Sequence, residues 1–190
     1  MIVDEKNAAF KNTGKKGERK YVILTGHRDG SICMWKFYQY QSTLINYKDE
    51  ITCMNYCNGN QIAFCTRRGY IHIWDGYLSN CLRTIELSQI GCQVLSFHIV
   101  GLDFNKHKML LTTITGDVVE ISMKGKKKPR AKKYNSITKV NGEMKGMGIL
   151  NQMESVFMTG GEAGYVYSYD VNSKELIDIW VVGLPITSIA

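Results

Sequence analysis

Four histidines and six cysteines are the residues of this 190-residue chain that could ligate a metal or serve a nucleophile. His27, His72, His98 and His107 fall in a turn, two strand-like runs and a loop, and none has the spacing that puts two imidazoles on one helix face. None shares a nucleophile motif, so general-base chemistry has no anchor. Among Cys33, Cys53, Cys57, Cys65, Cys81 and Cys92 the closest pair is Cys53 and Cys57, with no second pair at zinc spacing. The chain is too large for a disulfide-stapled miniature, and its start, MIVDEKNAAFKN, lacks the apolar segment of a secretion signal. The thiols therefore read as reduced and packed in or beside strands. TGGEAG (159–164) is glycine-rich but runs into a strand-like segment, so it offers no helix N-terminus to phosphate. These patterns predict a protein that is not an enzyme and uses neither metal nor cofactor.

Charge gives a sharper signal. Lys124, Lys126, Lys127, Lys128, Arg130, Lys132 and Lys133 put seven cations into ten positions, with no acid among them. The net charge of the whole chain is +7, so the remainder is balanced and the basic character is local. Three readings stay open: a solvated loop, a contact for an acidic protein surface, and a nucleic-acid contact or nuclear-import signal in KKKPRAKK. The two binding modes would both weaken with salt, which screens exposed charges beyond about 8 Å at physiological ionic strength. Of the aromatic residues, Tyr38 and Tyr40 in FYQYQ read as loop residues and are the best exposed contact candidates.

The elements that must carry these residues are strands. A glycine followed five residues later by a bulky residue recurs as GSICMWK (30–36), GYIHIWD (69–75), GDVVEIS (116–122) and GYVYSYD (164–170). The turn glycines lie 39, 47 and 48 residues apart. Each copy alternates with period two and is preceded by another short apolar run: YVILT, QIAFC, MLLTT and SVFMT. Each pair predicts a hairpin whose turn needs positive φ at the glycine. A third strand follows in STLINY, CLRTIEL, YNSITKV and ELIDIWVV, and a fourth in ITCMNY, VLSFHIVGLDF, MKGMGIL and ITSIA. A repeat of this length built of four short antiparallel strands predicts an all-β propeller of about four blades. No apolar run approaches the roughly 20 residues of a membrane helix, and the reading is of a soluble, intracellular protein. The blades divide as 21–50, 51–90, 94–140 and 144–182, after a flexible basic lead-in at 1–20. Residues 186–190 are the first strand of a following or closing blade.

Trp74-Asp75, with Trp35-Lys36 and Tyr169-Asp170 as echoes, resembles the strand-ending dipeptide of WD-repeat proteins, over residues 21–190. Thr25, Asp29 and Trp35 sit where that family places three members of a buried hydrogen-bonded tetrad. Gly26-His27 is similar to the family's Gly-His pair but lies in the hairpin turn, so the fourth role is not assigned to it. Within the group, IVGLDFNKHKMLLTTITGDVVEIS (99–122) and TGHRDGSICMW (25–35) look most like blades of echinoderm microtubule-associated protein-like proteins. The resemblance implies a non-catalytic protein-interaction scaffold, cytoplasmic and associated with microtubules, the cytoskeleton or cilia. Its basic run 124–133 would meet the acidic tails of tubulin. The alternative is a nuclear or RNA-associated WD-repeat factor using the same run on nucleic acid. Four blades' worth of strands leaves three outcomes: part of a larger seven- or eight-bladed propeller, which is the favoured one, two copies completing a ring, or ITSIA closing the first blade.

Overall fold

The computed structural model describes residues 2–4, 21–36, 38–57, 61–76, 78–90, 96–105, 108–123, 129–133, 144–149 and 156–186. They form two compact units, Met1–Glu86 and Leu87–Ala190. Each unit holds two antiparallel sheets of four strands.

In the first unit, β1 (Ile2–Asp4), β2 (Tyr21–Gly26), β3 (Ser31–Lys36) and β4 (Gln39–Asn46) pair in sequence order. β5 (Ile51–Cys57), β6 (Gln61–Thr66), β7 (Tyr70–Asp75) and β8 (Cys81–Glu86) repeat the pattern. Period two decides the faces: Val22 and Leu24 of β2 share a face with Ile32 and Met34 of β3, and the second sheet turns Ile62, Phe64 and Trp74 to meet them. Val22, Leu24, Ile32, Ile62 and Phe64 are fully buried in this joint core.

In the second unit a short 3-10 turn, Leu87–Gln89, precedes β9 (Ile99–Asn105), β10 (Lys108–Thr113), β11 (Val118–Ser122) and β12 (Arg130–Lys133). The last sheet is β13 (Met144–Ile149), β14 (Val156–Gly161), β15 (Tyr165–Asp170) and β16 (Leu176–Val181). Leu110 and Val118 of one sheet pack on Phe157, Tyr167 and Tyr169 of the next, with the Phe157 and Tyr169 rings stacked at 5.0 Å.

The four hairpins sit where the repeat puts them. Gly30, Gly69, Gly116 and Gly164 have φ of 84°, 85°, 86° and 77°, and each donates its amide to the carbonyl three residues back. One turn geometry thus serves all four sheets, and it selects glycine because a Cβ is strained there.

Three expectations change. The lead-in 1–20 contributes a strand, because β1 pairs with β2 as Ile2↔Ile23, Val3↔Val22 and Asp4↔Tyr21. β1 therefore holds the inner position of the first sheet, which ITSIA was to fill in a closed four-bladed ring. The basic run is not all loop: Arg130–Lys133 form β12, paired with β11, whereas 124–128 and the expected strand YNSITKV lie outside the described residues. Tyr40 lies in β4, not in a loop.

Candidate protein-binding site

Of the three residues resembling the tetrad, Thr25 and Trp35 meet and Asp29 does not join them. Trp35 Nε1 donates to Thr25 Oγ1 at 2.8 Å, and Thr25 Oγ1 bonds His27 Nε2 at 2.9 Å. His27 thus supplies the imidazole that the sequence reading left unassigned; its place in the turn lets the ring fold back over its own strand. Asp29 turns elsewhere, its Oδ1 accepting the Ser31 amide at 2.9 Å and hydroxyl at 2.6 Å. Those bonds from Ser31 hold its carboxyl below the usual carboxylate range. Replacing Thr25 by Val removes the one hydroxyl that Trp35 Nε1 and His27 share. The expected cost is about 1–2 kcal/mol in urea denaturation, with Thr25→Ser retaining most of it. Equal stability of the Val variant would mean that the chain of bonds contributes nothing.

The second sheet solves the same problem differently. Its equivalent of Thr25 is Phe64, which has no hydroxyl, and Trp74 Nε1 donates to Tyr47 OH instead. Tyr47, in the link from β4 to β5, also stacks on His72 at 3.9 Å between centroids. Both aspartates of the strand-ending dipeptides cap the turn that follows. Asp75 Oδ1 accepts the Ser79 amide at 2.8 Å, and Asp170 Oδ1 accepts those of Asn172 and Ser173 at 2.8 and 2.6 Å. Tyr169 is a core residue.

Tyr47, Asp49, Thr66, Arg68, Tyr70 and His72 line a surface cleft of about 200 Å³. Tyr70 and His72, two apart on β7, share a face and lie 6.2 Å apart with near-parallel rings. Burial pushes the His72 imidazole below its ordinary pKa, with Asp49 partly opposing, so the ring is neutral near pH 7. The cleft has aromatic walls in Tyr47, Tyr70 and His72 and includes Arg68 in its lining. Its signal in the sequence is the Tyr-x-His pair, but Tyr47 reaches it from a link whose path only the fold reveals. Tyr38, at the β3–β4 turn, is 91% exposed with φ 62°, whereas Tyr40 bonds Thr43 Oγ1 at 2.9 Å and packs edge-on against Trp35.

The thiols Cys33, Cys53, Cys57, Cys65 and Cys81 are free; Cys92 and His107 lie outside the described residues. Burial pushes Cys57 up to about 12, and burial with the neighbouring Cys53 pushes Cys65 up, so both stay protonated at neutral pH. Among the described residues no group of three or more His, Cys, Asp or Glu could hold a metal ion, and no helix is long and apolar enough to cross a membrane.

Arg130–Lys133 form the outer edge of their sheet. β12 pairs as Glu120↔Lys132 and Ser122↔Arg130, and Lys132 is exposed. Beside it Glu120, 7% exposed, bridges Lys174 at 3.0 Å and Lys108 at 3.2 Å. Glu120 thus sits among Lys108 and Lys174, with Lys132 opposite it in register. Edge lysines also discourage pairing with stray strands. Lys124, Lys126, Lys127 and Lys128 lie outside the described residues.

Sheets of this form define a β-propeller of the WD40 type. Solved structures of similar fold include the Myceliophteria thermophila Cps50 (Swd1) β-propeller domain, with a TM-score of 0.68 at 13% identity, covering 88% of this chain and 54% of that one. The WD40 β-propeller domain of Doa1 scores 0.65 at 12% identity, covering 89% and 53%. A chain of the mitotic checkpoint complex scores 0.67 at 14% identity, covering 88% and 49%. The chain thus spans about half the length of these structures. By sequence it matches no protein-family model and no curated protein.

Proposed function

We propose that the protein is a non-catalytic interaction scaffold whose basic segment, Lys124 to Lys133, engages an acidic protein surface, with tubulin tails as the leading partner. The scaffold is cytoplasmic and cytoskeletal in this reading. The observation that carries it is β12, which sets Arg130, Lys132 and Lys133 on the rim strand of an otherwise charge-balanced protein. The WD40-type fold supports a protein partner, and the blade-like string 99–122 supports the microtubule assignment.

Deleting 124–133 would strip an edge strand from the sheet, so the test keeps β12 and neutralises charge. Lys124, Lys126, Lys127, Lys128, Lys132 and Lys133 are changed together to Gln. In co-sedimentation with taxol-stabilised microtubules the parent chain pellets at low salt, and the variant binds about tenfold more weakly. Failure of the parent to pellet, or equal pelleting of the two, sinks the proposal. The motif KKKPRAKK motivates the alternative nuclear or RNA-associated role; nuclear accumulation of a reporter fused to 124–133 would favour it.

A further inference from the structure

The cleft lined by Tyr47, Asp49, Thr66, Arg68, Tyr70 and His72 belongs wholly to the first unit. Its walls are held in place. The link carrying Tyr47 and Asp49 is tied to the β2–β3 turn, with Tyr47 N donating to Gly30 O at 2.9 Å and Ile51 N to His27 O at 3.0 Å. His72 Nδ1 bonds Thr84 Oγ1 at 3.1 Å, which fixes the ring that Tyr47 stacks on. The Tyr47 and Tyr70 rings lie within 13° and 15° of the His72 plane. Three near-parallel rings, each with an electron-rich face, thus line one cleft.

Two polar groups of this lining lack partners among the described residues. Thr66 is 1% exposed, and its hydroxyl is buried without a hydrogen bond. The hairpin register explains why: Thr66 stands where the first sheet has His27, whose ring bonds Thr25 Oγ1, but the second sheet has Phe64 in place of Thr25. A buried hydroxyl without a partner costs stability that an incoming donor would restore. The other group is the Asp49 carboxylate. Its neighbour Glu50 is bridged by Arg67 at 3.0 Å and by Arg28 at 3.8 Å. Asp49 accepts only the backbone amide of Arg68, at 3.3 Å, and has no ion pair among the described residues. A part-buried carboxylate beside three ring faces attracts a cation. An anion would enter against that carboxylate, with only the exposed, water-solvated Arg68 to attract it.

We infer that this cleft binds the guanidinium of an arginine in an extended segment of a partner protein. The planar cation stacks on the ring faces while its N–H groups donate to the Asp49 carboxylate and the Thr66 hydroxyl. A cleft of about 200 Å³ admits one long side chain and not a folded element. Lysine fits less well, because an ammonium is a compact point charge that cannot stack or fork between two acceptors. This site takes a basic partner segment, whereas the basic run 124–133 would take an acidic one, and neither reading depends on the other.

Blocked peptides Gly-Gly-X-Gly-Gly, with Arg, Lys or Glu at X, are titrated into the 190-residue chain. The reporter is the NMR signal of the Trp74 indole N–H, which is bonded to Tyr47. The arginine peptide should shift it to saturation, with the lysine peptide about threefold weaker and the glutamate peptide without effect. Two neighbouring substitutions should then act with opposite signs. Asp49→Asn, which keeps an acceptor for the Arg68 amide, should weaken the arginine peptide about fivefold, whereas Arg68→Gln should strengthen it about twofold by removing a like charge. Urea midpoints equal to the parent's verify that both variants are folded. No shift with the arginine peptide, a preference for glutamate, or the two signs reversed overturns the inference.

Discussion

Gly30→Val is expected to destabilise the protein by about 3–5 kcal/mol, through two causes that a control separates. Gly30 has φ 84°, where a β-branched residue costs about 1–3 kcal/mol in backbone strain alone. A Cβ there would also lie 2.5 Å from the Asp49 amide nitrogen and 2.6 Å from that of Lys48. These are backbone atoms of the link into β5, held by Tyr47 N to Gly30 O and Ile51 N to His27 O, so no rotamer change relieves the overlap. Gly183 has φ 76° but open space where its Cβ would be. Gly183→Val should therefore cost only the strain, about 1–3 kcal/mol. Urea unfolding of the two variants against the parent measures both quantities. Equal losses would mean that the close approach at Gly30 relaxes freely and that the β4–β5 link is not rigidly seated.

What could be read from the sequence follows from the same physics. The hairpins were legible because a turn that demands positive φ leaves glycine at a fixed place, and because half-buried strands must alternate. β12 was not legible, since a solvent-facing edge strand needs no apolar alternation and RAKK looks like any charged loop. β1 was hidden for another reason: three residues, Ile2–Asp4, carry too little pattern to separate from a basic lead-in. At the candidate site, Trp35 bonds Thr25 while Asp29 turns to Ser31, and the part of His27 is not legible because its position in the turn says nothing about where the ring folds back. Tyr47 was invisible for a similar reason. It supplies to Trp74 a hydroxyl that Phe64 cannot provide, from a link 17 residues before Phe64 in the sequence.

The ion cluster in the second unit sets how stability depends on pH. Burial alone would raise the Glu120 pKa, but hydrogen bonds from Lys174 and Lys108 outweigh it and leave the folded-state pKa lowered. A depressed carboxyl favours the folded state above the unfolded pKa, about 4.3. That contribution is lost as pH falls through the folded value, so acid should destabilise the parent more than a Glu120→Gln variant. At pH 7 the same variant leaves Lys174, 15% exposed, facing a neutral amide and is expected to lose about 1–3 kcal/mol. Water reaches the other partner, since Lys108 is 37% exposed, and this keeps the figure below that of a fully buried pair. Lys174 holds φ 68° while its side chain reaches Glu120. Lys174→Gly should therefore recover in backbone strain part of what it loses in the ion pair, and cost less than Glu120→Gln. Urea titrations at pH 7 and pH 4 check both variants: the gap between parent and Glu120→Gln must narrow at the lower pH, and a gap that widens would show that the lysines do not set the Glu120 charge.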